Sequence, residues 1–177
     1  MRSSILSLIL LGAPLAAQTA NPFADLTQAT RASFPDKVHY GVICDYTFSR
    51  AEVQQLADAM GSGLLTVVDI KTRDQVASAA QVLSRTGTEV MVLLPKDRLV
   101  RDGAPHATLA VWQMGATPVV GTQARALENG AAFAIGEGTG HELLVNKHLR
   151  GIIGPVTASS KVAGMGGSAQ ISVVSAK

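Results

Sequence analysis

The sequence predicts an α/β domain, a three-layer sandwich with a mostly parallel sheet, and three observations carry that reading. Short apolar, β-rich runs alternate with helical stretches from residue 38 to residue 135. Charged residues make up 16% of the chain and aromatic residues 4%, so small apolar side chains dominate, as helices packed closely on a sheet require. The length, 177 residues, supplies one core rather than two lobes.

Residues 1–17, MRSSILSLILLGAPLAA, carry a basic Arg2, an apolar stretch from Ile5 to Leu11 and small residues ending at Ala17. They are read as a secretory signal peptide, with the mature chain starting near Gln18 in the periplasm or outside the cell. The apolar stretch is shorter than the ~20 residues that span a bilayer, so no membrane insertion of the mature chain is expected. Residues 18–36 are a leading helix and linker: a helix over residues 22–33, with Asn21 as its cap, is broken by Pro35 and Asp36.

The α/β domain proper is placed at residues 37–163. Its first strand runs from Val38 to Cys44 and is followed by a turn from Asp45 to Phe48. Ser49 and Glu52 have the spacing of a capping box opening the helix AEVQQLADAM, which Gly61 ends. A second strand, Leu64 to Ile70, leads to Thr72 as the cap of RDQVASAAQVLSRT, which Gly87 stops; a third strand is Val90 to Leu94. A helix from Pro105 to Met114, a strand from Pro118 to Val120, a short helix from Ala124 to Asn129 and a strand from Ala131 to Ile135 continue the alternation. Right-handed crossovers then place helices on both faces of a parallel sheet, flavodoxin-like in outline. HELLVN, residues 141–146, reads as a further strand. Residues 164–177 are a Gly/Ser-rich tail with a short strand from Gln170 to Val174.

Composition excludes some functions. Of 15 basic side chains only Arg2 lies in the leading segment, which leaves 14 against 13 acidic ones; nucleic acid and anionic membranes are therefore not expected partners. The single cysteine, Cys44, admits no intramolecular disulfide. It is expected to be buried and inert, because no histidine is spaced to form its thiolate.

The loop in FAIGEGTGHELLVN has glycines at 136, 138 and 140. A phosphate cradle needs a helix after the strand, and here a strand follows, with Glu137 adding a repelling carboxylate. The loop is read as a turn between two strands, with a ligand-facing loop as the alternative. His141 and His148 match no compact zinc spacing, and neither a G-x-S-x-G elbow nor an H-E-x-x-H pair occurs. No metal, cofactor or catalytic residue is assigned. Trp112 is read with Leu109, Val111 and Met114 as the core face of its helix. PKDRLVRDG, residues 95–103, is either a charged pocket wall or a solvated loop.

The order VHYGVICDYTFSRAEVQQLADAM, VMVLLPKDRLV, TPVVGTQARALENGAAFAIG resembles one lobe of the periplasmic substrate-binding proteins of ABC transporters, over about residues 37–136. The resemblance implies a single binding-protein lobe with ligand contacts at Asp45, Tyr46 and Thr47, at Pro95, Lys96 and Asp97, and at Gly121, Thr122 and Gln123. Glu137 is expected beside them. DYTFSRAEVQQL and GAAFAIGEGTGHELLVN with SSK also resemble the small YfiR-like periplasmic regulators, which implies binding to a membrane signalling enzyme.

The expected function is thus that of an exported, non-catalytic domain binding a small polar ligand for a transporter. A periplasmic regulatory domain that binds a membrane signalling protein, and an unrecognised hydrolase, are the alternatives. Both charge signs at the strand ends favour a hydrogen-bonding, small polar ligand. Replacing Asp45 or Gln123 by alanine is expected to weaken its binding and leave the melting temperature nearly unchanged.

Overall fold

The computed structural model describes residue 21 and residues 23–101, 104–135, 143–146 and 170–175. Strands β1 (His39–Cys44), β2 (Leu64–Asp69), β3 (Val90–Leu93), β4 (Val119–Gly121), β5 (Phe133–Ile135), β6 (Leu143–Val145) and β7 (Gln170–Ser175) form one sheet in the order β6-β5-β4-β3-β1-β2-β7. All neighbours pair parallel except β5 and β6, which are antiparallel. The helices are α1 (Ala24–Ser33), α2 (Tyr46–Met60), α3 (Val76–Arg85) and α4 (Pro105–Met114). This is the expected α/β sandwich with a mostly parallel sheet.

The side-chain alternation of the strands splits the core into two layers. Tyr40, Val42 and Cys44 of β1, with Leu65, Val67, Val90 and Val92, pack under Leu26 of α1 and under Val53, Leu56 and Met60 of α2. Ile43, Val68, Met91 and Leu93 face the other way, onto Val76, Ala79, Ala80 and Leu83 of α3 and onto Ala107, Ala110 and Met114 of α4. Gly41 also faces α3, and a Cβ there would lie 2.6 Å from Thr88 Cγ2 and 2.9 Å from Leu83 Cδ2. The absence of a side chain at Gly41 therefore sets how closely α3 approaches the central strand.

Three local expectations are corrected. The segment Asp45 to Phe48 is not a turn ahead of a helix, because α2 already starts at Tyr46. Its first N–H groups find partners at once: Tyr46 N–H donates to Asp69 Oδ1 at 3.0 Å, and Phe48 and Ser49 N–H donate to the Asp45 carbonyl. Ser49 therefore lies inside the helix, buried, and no capping box forms with Glu52. Thr72 is the expected cap, in a capping box with Gln75, but the chain first makes a 3₁₀ turn, Arg73–Gln75, before α3, with Gln75 Oε1 accepting the N–H groups of Lys71 and Thr72. Trp112 does not belong to the core face of α4: it is 75% exposed and Leu109 is 38% exposed. The buried face is Ala107, Ala110 and Met114, and at 100° per residue that stripe turns Leu109 and Trp112 away from the sheet.

Residues 136–142, including Glu137 and the three glycines, lie outside the described residues. The strands that they join pair antiparallel, Ile135 opposite Leu143, which agrees with a connection between two strands. His141 and His148 are outside the described residues as well.

Candidate functional site at the carboxyl edge

The strand order puts β1 beside both β2 and β3, and the chain leaves β1 and β3 toward opposite faces, into α2 and toward α4. In an open parallel sheet the divergence opens a crevice at the carboxyl ends of those two strands, the place where ligands collect. Asp45 follows β1, Asp69 ends β2, and Asp97 follows β3 by way of Leu94, Pro95 and Lys96. Three carboxylates from distant parts of the sequence thus meet at one edge.

They are held in different ways. Asp97 is fully buried and its two oxygens accept four hydrogen bonds. Oδ2 takes the Asp45 N–H at 3.0 Å and the Ser49 hydroxyl at 2.7 Å. Oδ1 takes the N–H groups of Leu99 at 2.8 Å and Val100 at 2.7 Å. This side chain shapes the loop after β3 and ties it to the start of α2. Asp45, also buried, meets two cations: Lys71 Nζ reaches its Oδ1 at 3.1 Å, and Arg98 pairs with its Oδ2. The Lys71 ammonium also donates to Asp69 Oδ1 at 2.9 Å and to the Thr47 hydroxyl at 3.0 Å. The Arg98 guanidinium lies 4.1 Å from the centre of the Phe48 ring, within cation–π range. Both cationic side chains are about half exposed, at 52% and 50%, over a carboxylate that is 1% exposed.

Electrostatics favours the ionised forms of Asp45 and Lys71. Burial alone would raise the Asp45 carboxyl, but hydrogen bonds and charge from Lys71 and Arg98 outweigh it and hold the group below the usual range. Hydrogen bonds to Asp69 and Asp45 raise the Lys71 ammonium. Burial pushes the Cys44 thiol upward, and the nearby Asp97, Asp69, Asp45 and Glu52 add to it. The buried cysteine is therefore a protonated thiol, as expected of an inert side chain. Burial also raises Glu52, although the Lys96 N–H donates to it.

Apart from Glu137, which lies outside the described residues, the residues expected to contact a ligand fall on this edge or next to it. Tyr46 is half-buried, Thr47 and Lys96 are exposed, and Pro95 is half-buried. Gly121, at the end of β4, and the half-buried Thr122 and Gln123 stand one strand beyond β3. The network itself adds Asp69, Lys71, Arg98, Ser49 and Phe48. The repeated pattern of an acid at the end of β1 and of β2, in CDY and VDIK, was the available signal for Asp69 and Lys71. No family model and no curated protein matches the chain. Among the described residues no group of three or more His, Cys, Asp and Glu side chains is placed to hold a metal ion, and no helix is long and apolar enough to cross a membrane.

One consequence concerns acid stability. At the opposite edge of the sheet Glu89 Oε2 accepts the N–H groups of Val38 and His39 at 2.9 and 3.0 Å, which lowers its carboxyl. Carboxyls depressed in the folded state add stability that is complete above their unfolded values, roughly 4, and is lost as pH falls through the folded values. The melting temperature should therefore be flat near neutrality and drop below about pH 4. Glu89→Gln should flatten that acid limb; a limb of unchanged slope would contradict the assignment.

Proposed function

We propose that the protein is an exported, non-catalytic domain that binds a small polar ligand in the crevice between the carboxyl ends of β1 and β3. The observation that carries this reading is the position of the Asp45–Lys71–Arg98 cluster: two half-exposed cations oriented by a buried carboxylate at the point where the chain diverges from the sheet. Preorganised polar groups in such a crevice hold a ligand at little cost in side-chain ordering. Delivery to a membrane transporter is the role that suits such a domain.

A thermal-shift screen of small polar solutes on the wild type, Thr47→Ala and Gln123→Ala tests the reading. A solute that raises the melting temperature of the wild type, and does so less for both variants, supports it. If no solute stabilises the wild type, or if both substitutions leave the stabilisation intact, the crevice is not the binding site. Asp45→Ala is unsuitable for this purpose. Its carboxylate is buried under two cations, so its removal costs stability as well as binding.

A second reading draws on a separate observation. Leu109 and Trp112 are one helical turn apart on α4 and both exposed, which suits a regulatory domain that docks on a membrane signalling protein through an apolar patch. Loss of such docking in Trp112→Ala, with solute binding unaffected, would favour that role.

A further inference from the structure

We infer that the ligand of this crevice is an anion, a small molecule whose carboxylate or phosphate oxygens are held by Arg98, Lys96 and Lys71; the inference rests on the binding reading above. Charge balance over the whole chain hides the asymmetry at this edge. Each segment that leaves the carboxyl ends of β2, β3 and β4 exposes cations: Lys71 and Arg73 after β2, Lys96, Arg98 and Arg101 after β3, and Arg125 after β4. Two of the acids in the same region, Asp45 and Asp97, are fully buried and face inward, and Asp69 is largely covered, at 19% exposure. Among the described residues the exposed acids of these segments are Asp74 and Glu128. An approaching solute therefore meets ammonium and guanidinium groups first, with the compensating carboxylates beneath them.

The arrangement also leaves donors available. Arg98 uses one edge on Asp45 and one face on the Phe48 ring. A guanidinium has five N–H donors in a planar fork suited to an oxyanion, and no other acceptor among the described residues meets this one. Lys96 is exposed, and among the described residues its ammonium makes no hydrogen bond; it is its backbone N–H that serves Glu52. Lys71 is committed to Asp45, Asp69 and Thr47, and contributes its charge rather than a free N–H. Asp45 acts through these cations as a positioning residue, since it anchors Lys71 and Arg98 without reaching the surface. A cationic ligand would have to displace one of the two from this carboxylate, whereas an anion adds to the existing pairs.

The test uses succinate and inorganic phosphate as anionic probes, glucose as a neutral one and putrescine as a cationic one. Ionic strength is held constant with sodium chloride, so that screening is equal in every arm. Thermal shift and backbone amide chemical-shift mapping are read on the wild type, Lys96→Gln, Arg98→Gln and, as a control at the far end of α3, Arg85→Gln. At least one anion should stabilise the wild type saturably and perturb the amides of residues 46–48 and 96–98. Arg98→Gln should weaken that binding about tenfold or more, the loss expected of a charge-assisted contact. Lys96→Gln should weaken it several-fold and Arg85→Gln not at all. Should Arg98→Gln fold poorly, Lys96→Gln alone decides, because its ammonium makes no internal hydrogen bond. Binding of glucose or putrescine at these amides, with neither anion binding, overturns the anion assignment and leaves the crevice as the binding site. If no probe perturbs these amides and the wider solute screen is also negative, both readings fall. Equal shifts with sodium chloride alone would mean nonspecific screening and would also overturn the assignment.

Discussion

Asp97→Ala is expected to destabilise the protein by roughly 3–5 kcal/mol, since each buried donor left unsatisfied costs about 1–3 kcal/mol and the loop can relax only in part. The substitution deletes the acceptor of four hydrogen bonds at once. It leaves the N–H groups of Asp45, Leu99 and Val100 and the Ser49 hydroxyl without it, and all of these bonds but that of Leu99 are buried. Ser49→Ala removes only one of the four and should cost about 1 kcal/mol. Asp97→Asn keeps one acceptor oxygen but turns an NH₂ toward existing donors, so it should lie closer to Asp97→Ala than to the wild type. Urea unfolding with an unchanged slope would measure all three as shifts in midpoint. A loss below about 1 kcal/mol in Asp97→Ala would mean that the loop after β3 holds its shape without this side chain. A large loss should be accompanied by loss of ligand binding, because the same bonds hold the start of α2 against Arg98 and its neighbours.

The second large effect is expected at the centre of the sheet. Gly41→Val should destabilise by about 3 kcal/mol and Gly41→Ala by somewhat less, because overpacking a closed core typically costs about 1–3 kcal/mol. Even the first added carbon would come within 2.6 Å of Thr88 and 2.9 Å of Leu83, and both neighbours are buried. Reduced freedom of the unfolded chain works the other way, but only by about 0.4–1 kcal/mol, so the clash prevails. Thr88→Ala removes the nearest contact and should recover part of the loss when combined with Gly41→Ala. The double-mutant cycle would then show a favourable coupling. Strict additivity would mean that α3 moves away as a unit instead of being held by Thr88.

The strands and helices of the fold were legible because each strand is a short apolar run closed by a turn residue or cap. The parallel direction followed from the length of the crossovers. What could not be read locally was the partner of the last strand. Gln170–Ser175 pairs with Leu64–Asp69, and no pattern within either segment names the other. At the site, Asp45, Thr47, Lys96 and Asp97 were singled out, because they follow strand ends. Asp69 and Lys71 carry no such mark, because in the sequence they are the end of a strand and the approach to a helix cap. Ser49 and Glu52 match the spacing of a capping box, but the tertiary partners Asp97 and Lys96 override that local pairing. Trp112 departs from its expected place for a different reason. On an almost wholly apolar helix, spacing alone does not say which stripe faces inward, and here it is the alanines that pack.

The parallel ladder between β2 and β7 has a consequence for the order in which the protein can be made. Leu64 is synthesised 106 residues before Gln170, its partner. At ribosomal rates of about 5–20 residues per second that interval lasts about 5–20 s. Helices and neighbouring strands form far faster than that, within microseconds to milliseconds. The nascent domain can therefore align β1, β2 and β3 while one side of LLTVVD still has open backbone donors and acceptors. Such an edge invites pairing with other nascent chains. A segment that keeps the early chain unfolded, or a chaperone that covers LLTVVD, would have its greatest value in those seconds, and removing it should appear as lower yield rather than as a less stable final product.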